Sequence, residues 1–311
     1  MENLTKTQVW LAQTRANFLL LAVFLVAIGL AYTALYGQGT GFNYFHALLI
    51  LVGTVSAHVS VNLFNEYSDY RTRIDFSTRQ TPFSGGSKMM VGGRTSSRSV
   101  RLASLFSLLL AAAIGVYFSI VSHWSVAMIS LLGAFAIVYY TPLLSRLLLG
   151  ELFAGLTLGS LVVIGTFIAM NARPGQPFTG IVPPEVWLMA IPPGILTALL
   201  LLLNEFPDTE ADKAGGRRHL VIQFGRRTAA WIYATGMLCA FGIILALPLL
   251  GLSSPWIFLA LIPLPLAIKA SITAIRYGSE MERLVPAMGM NVVVVLATDL
   301  LIAVAVFIQL F

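Results

Sequence analysis

Two short windows of the chain carry most of the groups that could do chemistry. The first reads Asn65-Glu66-Tyr67-Ser68-Asp69-Tyr70-Arg71-Thr72-Arg73-Ile74-Asp75, and the second reads Asn204-Glu205-Phe206-Pro207-Asp208-Thr209-Glu210-Ala211-Asp212. Together they hold seven of the 13 acidic residues. On a helix, Asn204, Asp208 and Asp212 fall at i, i+4 and i+8, one face on successive turns. Asn62, Asn65 and Asp69 fall at i, i+3 and i+7, again on one face, with His58 a turn earlier. Such ladders offer oxygen ligands from a rigid element. Mg²⁺ suits them, because it takes one or two carboxylates, completes its shell with substrate phosphates and keeps some water. Two facing ladders could hold two or more ions around one diphosphate.

The background of these motifs is strongly apolar. Of 311 residues, 58% are hydrophobic and only 10% charged, and the mean hydropathy is +0.85. That excludes an ordinary soluble globular chain. Nine apolar runs of membrane-crossing character are expected at about 17–36, 45–64, 102–121, 124–140, 151–170, 186–203, 229–250, 255–275 and 287–311, the fourth being short. No cleavable leader pattern is evident at the first run. The single cysteine, Cys239, lies inside an expected span, so an intrachain disulfide has no second partner. The whole chain, 1–311, reads as one all-α membrane domain.

Charge placement sets the expected topology. Of the 19 basic residues, only Arg173 falls on the side opposite the others. The positive-inside rule then places the N-terminus and both acidic motifs in the cytoplasm and the C-terminus outside. The net charge of +6 is a topology signal that needs no nucleic-acid partner. The basic connections could also meet anionic lipid or phosphate.

Two long connections, about 65–101 and 204–228, each follow an even-numbered span and open with an Asn-anchored acidic motif. Their separation of about four spans reads as two related halves, spans two to five and six to nine, with span one added. Solvated acids near helix ends would explain either motif alone. The matching Asn-x-x-x-Asp starts at equivalent positions argue against that for the pair. A cation pathway is the stronger competitor, but it does not account for the phosphate-type basic residues beside both motifs.

With these motifs in view, the chain resembles the UbiA superfamily of intramembrane prenyltransferases, whose first motif is Asn-Asp-x-x-Asp with a further acid and whose second is Asp-x-x-x-Asp. Asn65, Asp69 and Asp75 match the first. Asp208, Asp212, Gly215, Arg217, Leu220 and Gly225 match the second and its tail. The form of the first motif, with Gly150-Glu151 and Gly165-Thr166, is most similar to the 1,4-dihydroxy-2-naphthoate polyprenyltransferase branch. The likeness covers nearly the whole chain. Departures are Glu66 in place of Asp, Arg73 where several branches carry the last Asp, and Leu144 where a Tyr-x-x-x-Lys element beginning at Tyr140 would place Lys.

The resemblance implies a UbiA-type helical bundle with a Mg²⁺ cofactor. Asp69, Asp208 and Asp212 would hold the metal, helped by Asn65, Asn204 and Asp75, around the diphosphate of a polyprenyl donor. Lys88, Arg94, Arg217 and Arg218 are candidate diphosphate partners, Arg binding bidentately and Lys as a point charge. Lys88 follows Ser84-Gly85-Gly86-Ser87, which supplies flexible backbone and hydroxyls beside a cation. The implied acceptor is aromatic, 1,4-dihydroxy-2-naphthoate being favoured. Other branches use hydroxybenzoate, homogentisate, haem, chlorophyllide or glycerophosphate lipids, and a carrier of prenyl lipid or cation without catalysis is the rival of a different class. Among the remaining polar residues, Asp299 sits near the middle of the last span, where a carboxylate is costly; pairing with Asn291, about two turns away, or contact with the acceptor are its two readings. His58 reads as a polar packing residue in preference to a catalytic base. The four histidines show no metal-ligand spacing, so zinc chemistry has no support.

Overall fold

Asn43 opens the helix that carries the first acidic motif: its side chain accepts from the His46 N–H at 3.0 Å, satisfying one of the donors a helix start leaves unpaired. In the computed structural model, which describes residues 4–37 and 41–311, that helix runs 28 residues. The elements in order are α1 (Lys6–Gln13), a 3₁₀ turn (Ala16–Phe18), α2 (Leu19–Tyr36), α3 (Tyr44–Arg71), α4 (Ile74–Ser77), α5 (Ser97–Val121) and α6 (Ser125–Tyr139). A 3₁₀ turn at Leu144–Arg146 leads to α7 (Gly150–Gly155), a π turn (Leu156–Ser160) and α8 (Leu161–Asn171), which form one continuous rod. Then follow α9 (Pro184–Met189), α10 (Ile191–Ala214), α11 (Leu220–Leu249), a 3₁₀ stretch (Pro255–Leu261), α12 (Leu264–Tyr277) and α13 (Met281–Ile308). No strand occurs among the described residues.

Eight of these rods are long and apolar enough to cross a membrane. The ninth expected span, the short fourth, is α6 with 15 residues, about 22 Å of helix against a hydrocarbon core of about 30 Å. The protein is an integral, multi-pass, all-α membrane protein. Its outward faces are apolar: on α5, Phe106, Leu109 and Ile120 are all exposed, as lipid-facing side chains are.

Both motif-bearing helices run further than hydropathy alone implies. α3 continues through Asn65 and Asp69 to Arg71, and α10 continues through Pro207 to Ala214. The connections between spans are therefore shorter than expected, the second reducing to Gly215–His219 before α11 begins. Gly225 (φ 79°, ψ 159°) breaks α11 after its first turn, so the membrane rod proper starts where the apolar run was read. The two helix ends are brought together in part at Gly215, where any Cβ would fall 2.4 Å from the Ile74 side chain. That close approach seats α4, and with it Asp75, against the end of α10.

The main core packs α2, α8, α10, α11 and α13 around Leu25, Ile168, Leu202, Tyr233 and Val294, all essentially buried. Within it, Tyr233 donates to Asn291 Oδ1 at 3.0 Å, and Asn291 donates to the Leu199 carbonyl at 3.3 Å. Asn291 is thus occupied elsewhere, and the expected Asp299–Asn291 pair is absent. Asp299 is fully buried and neither carboxyl oxygen has a hydrogen-bond partner. It also lies outside the cavity described below, so neither sequence reading of Asp299 matches its place in the fold.

Candidate active site

A cavity of about 350 Å³ lies among α3, α5, α6, the α7–α8 rod and α10. Its greater length is apolar, lined by residues such as Ile50, Ala111, Ile114, Phe118, Ile129 and Val162. One end is polar and collects Asn65, Asp69, Asp75, Asn204, Asp208, Asp212 and Arg217. Helical spacing explains this convergence. Asn62, Asn65 and Asp69 share the cavity-facing side of α3, and Asn204, Asp208 and Asp212 share that of α10.

Arg217, just beyond α10, ties the two motifs together. It pairs with Asp69, donates to Asp212 Oδ1 at 2.8 Å and reaches Asn65 Oδ1 at 3.1 Å. Thr141 also donates to Asn65 Oδ1, at 3.3 Å. Burial works against the guanidinium's charge, yet Asp69 and Asp212 outweigh it and hold the group more firmly protonated than a free arginine.

The segment Ser84–Lys88 closes over the same end through its backbone. The Gly85 N–H donates to Asp208 Oδ2 at 3.1 Å, and Ser87 donates to Glu66 from both its N–H (2.6 Å) and its hydroxyl (2.7 Å). Gly86, at φ +70°, presses so closely on Asp75 that a Cβ would meet its Oδ1 at 2.5 Å. Burial, then the neighbouring Asp69 and Glu66, push the Asp75 carboxyl up to about 7 despite Lys88. Glu66 is buried and fully engaged, accepting also from Gln13 at 3.4 Å with Arg15 at 3.7 Å. It secures the loop and turns away from the metal-type ladder.

The candidate cations divide by position. Lys88 stands 4.0 Å from Asp75 Oδ1 and donates to the Asp75 carbonyl, but it is not among the residues that line the cavity. Arg94 is exposed and does not line the cavity. Arg218 is exposed as well, its guanidinium engaged with Gln223 Oε1 at 2.8 and 3.2 Å. Arg15, which sequence reasoning passed over, does line the cavity. Its only sequence signal was a lone cation at the foot of the first span. Tyr140 and His58 also line the wall, whereas Arg146 is exposed.

The polar end fits a hard divalent cation. Its donors are carboxylate and amide oxygens, and two of them, Asn204 Oδ1 and Asp208 Oδ1, are buried without a hydrogen-bond partner. Unsatisfied buried oxygens facing further carboxylates are what a Mg²⁺ ion with its waters would complete.

The model of the UbiA prenyltransferase family matches residues 22–293. The chain belongs to that family. UbiA membership makes it a prenyl-transferring membrane enzyme. A 1,4-dihydroxy-2-naphthoate octaprenyltransferase of Bacillus subtilis (strain 168) is 29% identical over 232 residues, covering 72% of this chain and 69% of the relative. The protein of the same name in Escherichia coli (strain K12) is 26% identical over 99% of this chain and 98% of its own length. Among solved structures, a UbiA homolog from Aeropyrum pernix K1 superposes with a TM-score of 0.66 at 15% identity, covering 93% of this chain and 98% of that one. A UbiA homolog from Archaeoglobus fulgidus bound to DMAPP and Mg²⁺ gives 0.61 at 17% identity, over 96% and 98%. At such identities these structures speak to the shared fold.

Proposed function

We propose that this UbiA-family protein transfers a polyprenyl group from its diphosphate to 1,4-dihydroxy-2-naphthoate, with Mg²⁺ as cofactor. The observation that carries the reading is the form of the cavity: one continuous apolar wall ending at two facing carboxylate–amide ladders. Support for the acceptor comes from the names of the relatives in Bacillus subtilis and Escherichia coli.

Asp69, Asp208 and Asp212, with Asn65, Asn204 and Asp75, would hold the metal. Bound Mg²⁺ neutralises the diphosphate and so favours its departure. Arg217 is already charged and aimed at this end, and exchanging its carboxylate contacts for diphosphate oxygens supplies bidentate donors as negative charge develops on the leaving group. The Ser84–Lys88 backbone covers the donor and keeps water from the reactive carbon, while the apolar wall receives the prenyl tail. The C–O bond breaks with its electron pair going to diphosphate. The ring carbon bearing the carboxylate forms the new C–C bond, and loss of carbon dioxide returns electrons to the ring. No external base is needed for that step. A second hollow, of about 450 Å³, adjoins the polar end and shares Arg15, Phe18 and Phe83 with it. Arg15 in this shared lining supplies a cation for an anionic aromatic acceptor.

The positive-inside pattern supports a cytoplasmic position for this end, both motifs and the N-terminus. The test is to combine purified protein, Mg²⁺, a polyprenyl diphosphate and a panel of aromatic acceptors and identify products by mass. A prenylated, decarboxylated naphthoquinol is expected. A product from a different acceptor moves the branch, and no product from any acceptor while donor binding persists favours a carrier or an acceptor outside the panel.

A further inference from the structure

Behind the Asp212 end of the cavity, three side chains from three helices meet. Glu151 comes from the first turn of α7, Glu205 from α10, and His219 from the residue that opens α11. One potential ligand atom of each lies within 4.8 Å of the others, and all three residues are buried, with relative exposures of 4%, 7% and 2%. The sequence shows no metal-type histidine spacing because the three positions are far apart along the chain, and only the fold assembles them. Neither ring nitrogen of His219 has a hydrogen-bond partner, nor does Glu205 Oε2. The ring is instead flanked at 3.6 Å by Glu205 Oε2 and at 3.4 Å by Asp212 Oδ2. Glu151 keeps one oxygen on the Leu220 N–H, at 2.7 Å, which orients the carboxylate as outer-shell bonds orient metal ligands.

We propose that Glu151, Glu205 and His219 bind a first-row divalent ion, as a site separate from the oxygen-only ladder of Asp69 and Asp208. A cation held between Glu151 and Glu205 would offset the repulsion of two adjacent buried carboxylates, and Arg217 is already engaged with Asp69 and Asp212. An imidazole with two carboxylates is a donor set that suits Zn²⁺ or Mn²⁺ and disfavours Mg²⁺, which prefers oxygen alone. Glu205 and His219 line the cavity, so an ion has a route in. Its place, joining α7, α10 and the start of α11 directly behind Asp212, would brace the second motif.

The donor set makes the site visible by a measurement independent of turnover. Tag-free protein is loaded with Mn²⁺ and examined by pulsed electron paramagnetic resonance for coupling to a histidine nitrogen. The expected result is a nitrogen-coupled Mn²⁺ population that persists in Asp69→Asn, is lost in His219→Asn, and is displaced by Zn²⁺ at far lower concentration than by Mg²⁺. Only oxygen-coordinated Mn²⁺ in the unaltered protein, or nitrogen coupling that survives His219→Asn, would overturn the proposal. Because the first spectrum uses the unaltered protein, a variant that fails to fold leaves the test intact.

Discussion

Arg217 pairs with Asp69 across 148 residues of sequence, and the same guanidinium holds Asp212 at 2.8 Å. One side chain thereby joins the two acidic motifs at the polar end of the cavity, where the diphosphate is proposed to bind. The side chain is only 12% exposed, so removing it leaves two buried carboxylates facing each other without a cation. Such a loss costs about 3–5 kcal/mol in comparable buried pairs. Arg217→Ala is expected to lower thermal stability in detergent markedly and to abolish turnover. Arg217→Lys, which keeps charge without the planar fork, is expected to recover stability more than activity. Thermal denaturation and turnover measured on both variants check the ordering; equal recovery of both quantities would contradict it.

Glu66 offers a second prediction, because two of its three acceptor contacts, both from Ser87, fasten the Ser84–Lys88 segment, and the third comes from Gln13. Glu66→Gln retains a carbonyl acceptor for Ser87 but presents an amide to Arg15. Glu66→Ala leaves the Ser87 N–H unpaired at a buried position, at a cost of about 1–3 kcal/mol. Amide hydrogen exchange over residues 84–88 is expected to accelerate strongly in the alanine variant and slightly in the glutamine variant, with KM for the donor rising in step. Unchanged exchange in Glu66→Ala would show that the segment is held by other contacts.

How much of this arrangement could be read in the chain depends on the distance over which each cause acts. Asn65, Asp69, Asp208 and Asp212 were legible because helical periodicity is local, and the same periodicity carried α10 through Pro207. The apolar runs likewise gave the spans, including a short fourth that became the 15-residue α6. Contacts between distant segments were not legible. Nothing local assigns Glu66 to Ser87, Gly85 to Asp208, or His219 to Glu151 and Glu205. Among the basic residues, composition could not distinguish Arg217, turned inward between two carboxylates, from Arg218, turned outward to Gln223. Asp299 was visible as an anomaly, but its supposed partner Asn291 is engaged by Tyr233.

The apolar cavity wall makes a prediction about donor length. Gly133, on α6, lines the cavity, and a Cβ built there meets no atom within 4 Å. A larger side chain at this position would enter the space proposed for the prenyl tail while leaving the helix packing undisturbed. Gly133→Leu is expected to lower kcat/KM for a long polyprenyl diphosphate by about tenfold or more, and to spare a two-isoprene donor. The ratio of the two donors in one reaction is the readout. Equal loss for both would place the tail elsewhere.

Asp75 predicts a pH effect on the metal-free protein. Its carboxyl is pushed up to about 7 in the fold, chiefly by burial and then by Asp69 and Glu66. A carboxyl with a raised folded-state value binds its proton more tightly folded than unfolded, so stability is greatest at low pH and declines as pH rises toward and through that value. Between about pH 5 and pH 8, the metal-free protein's thermal midpoint is expected to fall more steeply than that of Asp75→Asn. Parallel curves for the two proteins would show that the carboxyl is ionised throughout.

The central claim is that two helix ends, one from each motif, form a single metal–diphosphate site. Diphosphate release measured in the presence of donor, acceptor and Mg²⁺, for the unaltered protein and for Asp69→Asn and Asp208→Asn, tests it most directly. The account predicts release that requires the divalent ion and falls by about 10²-fold or more in each variant, with both variants still folded. Near-native release in both variants, or release at full rate with the ion removed, would contradict it.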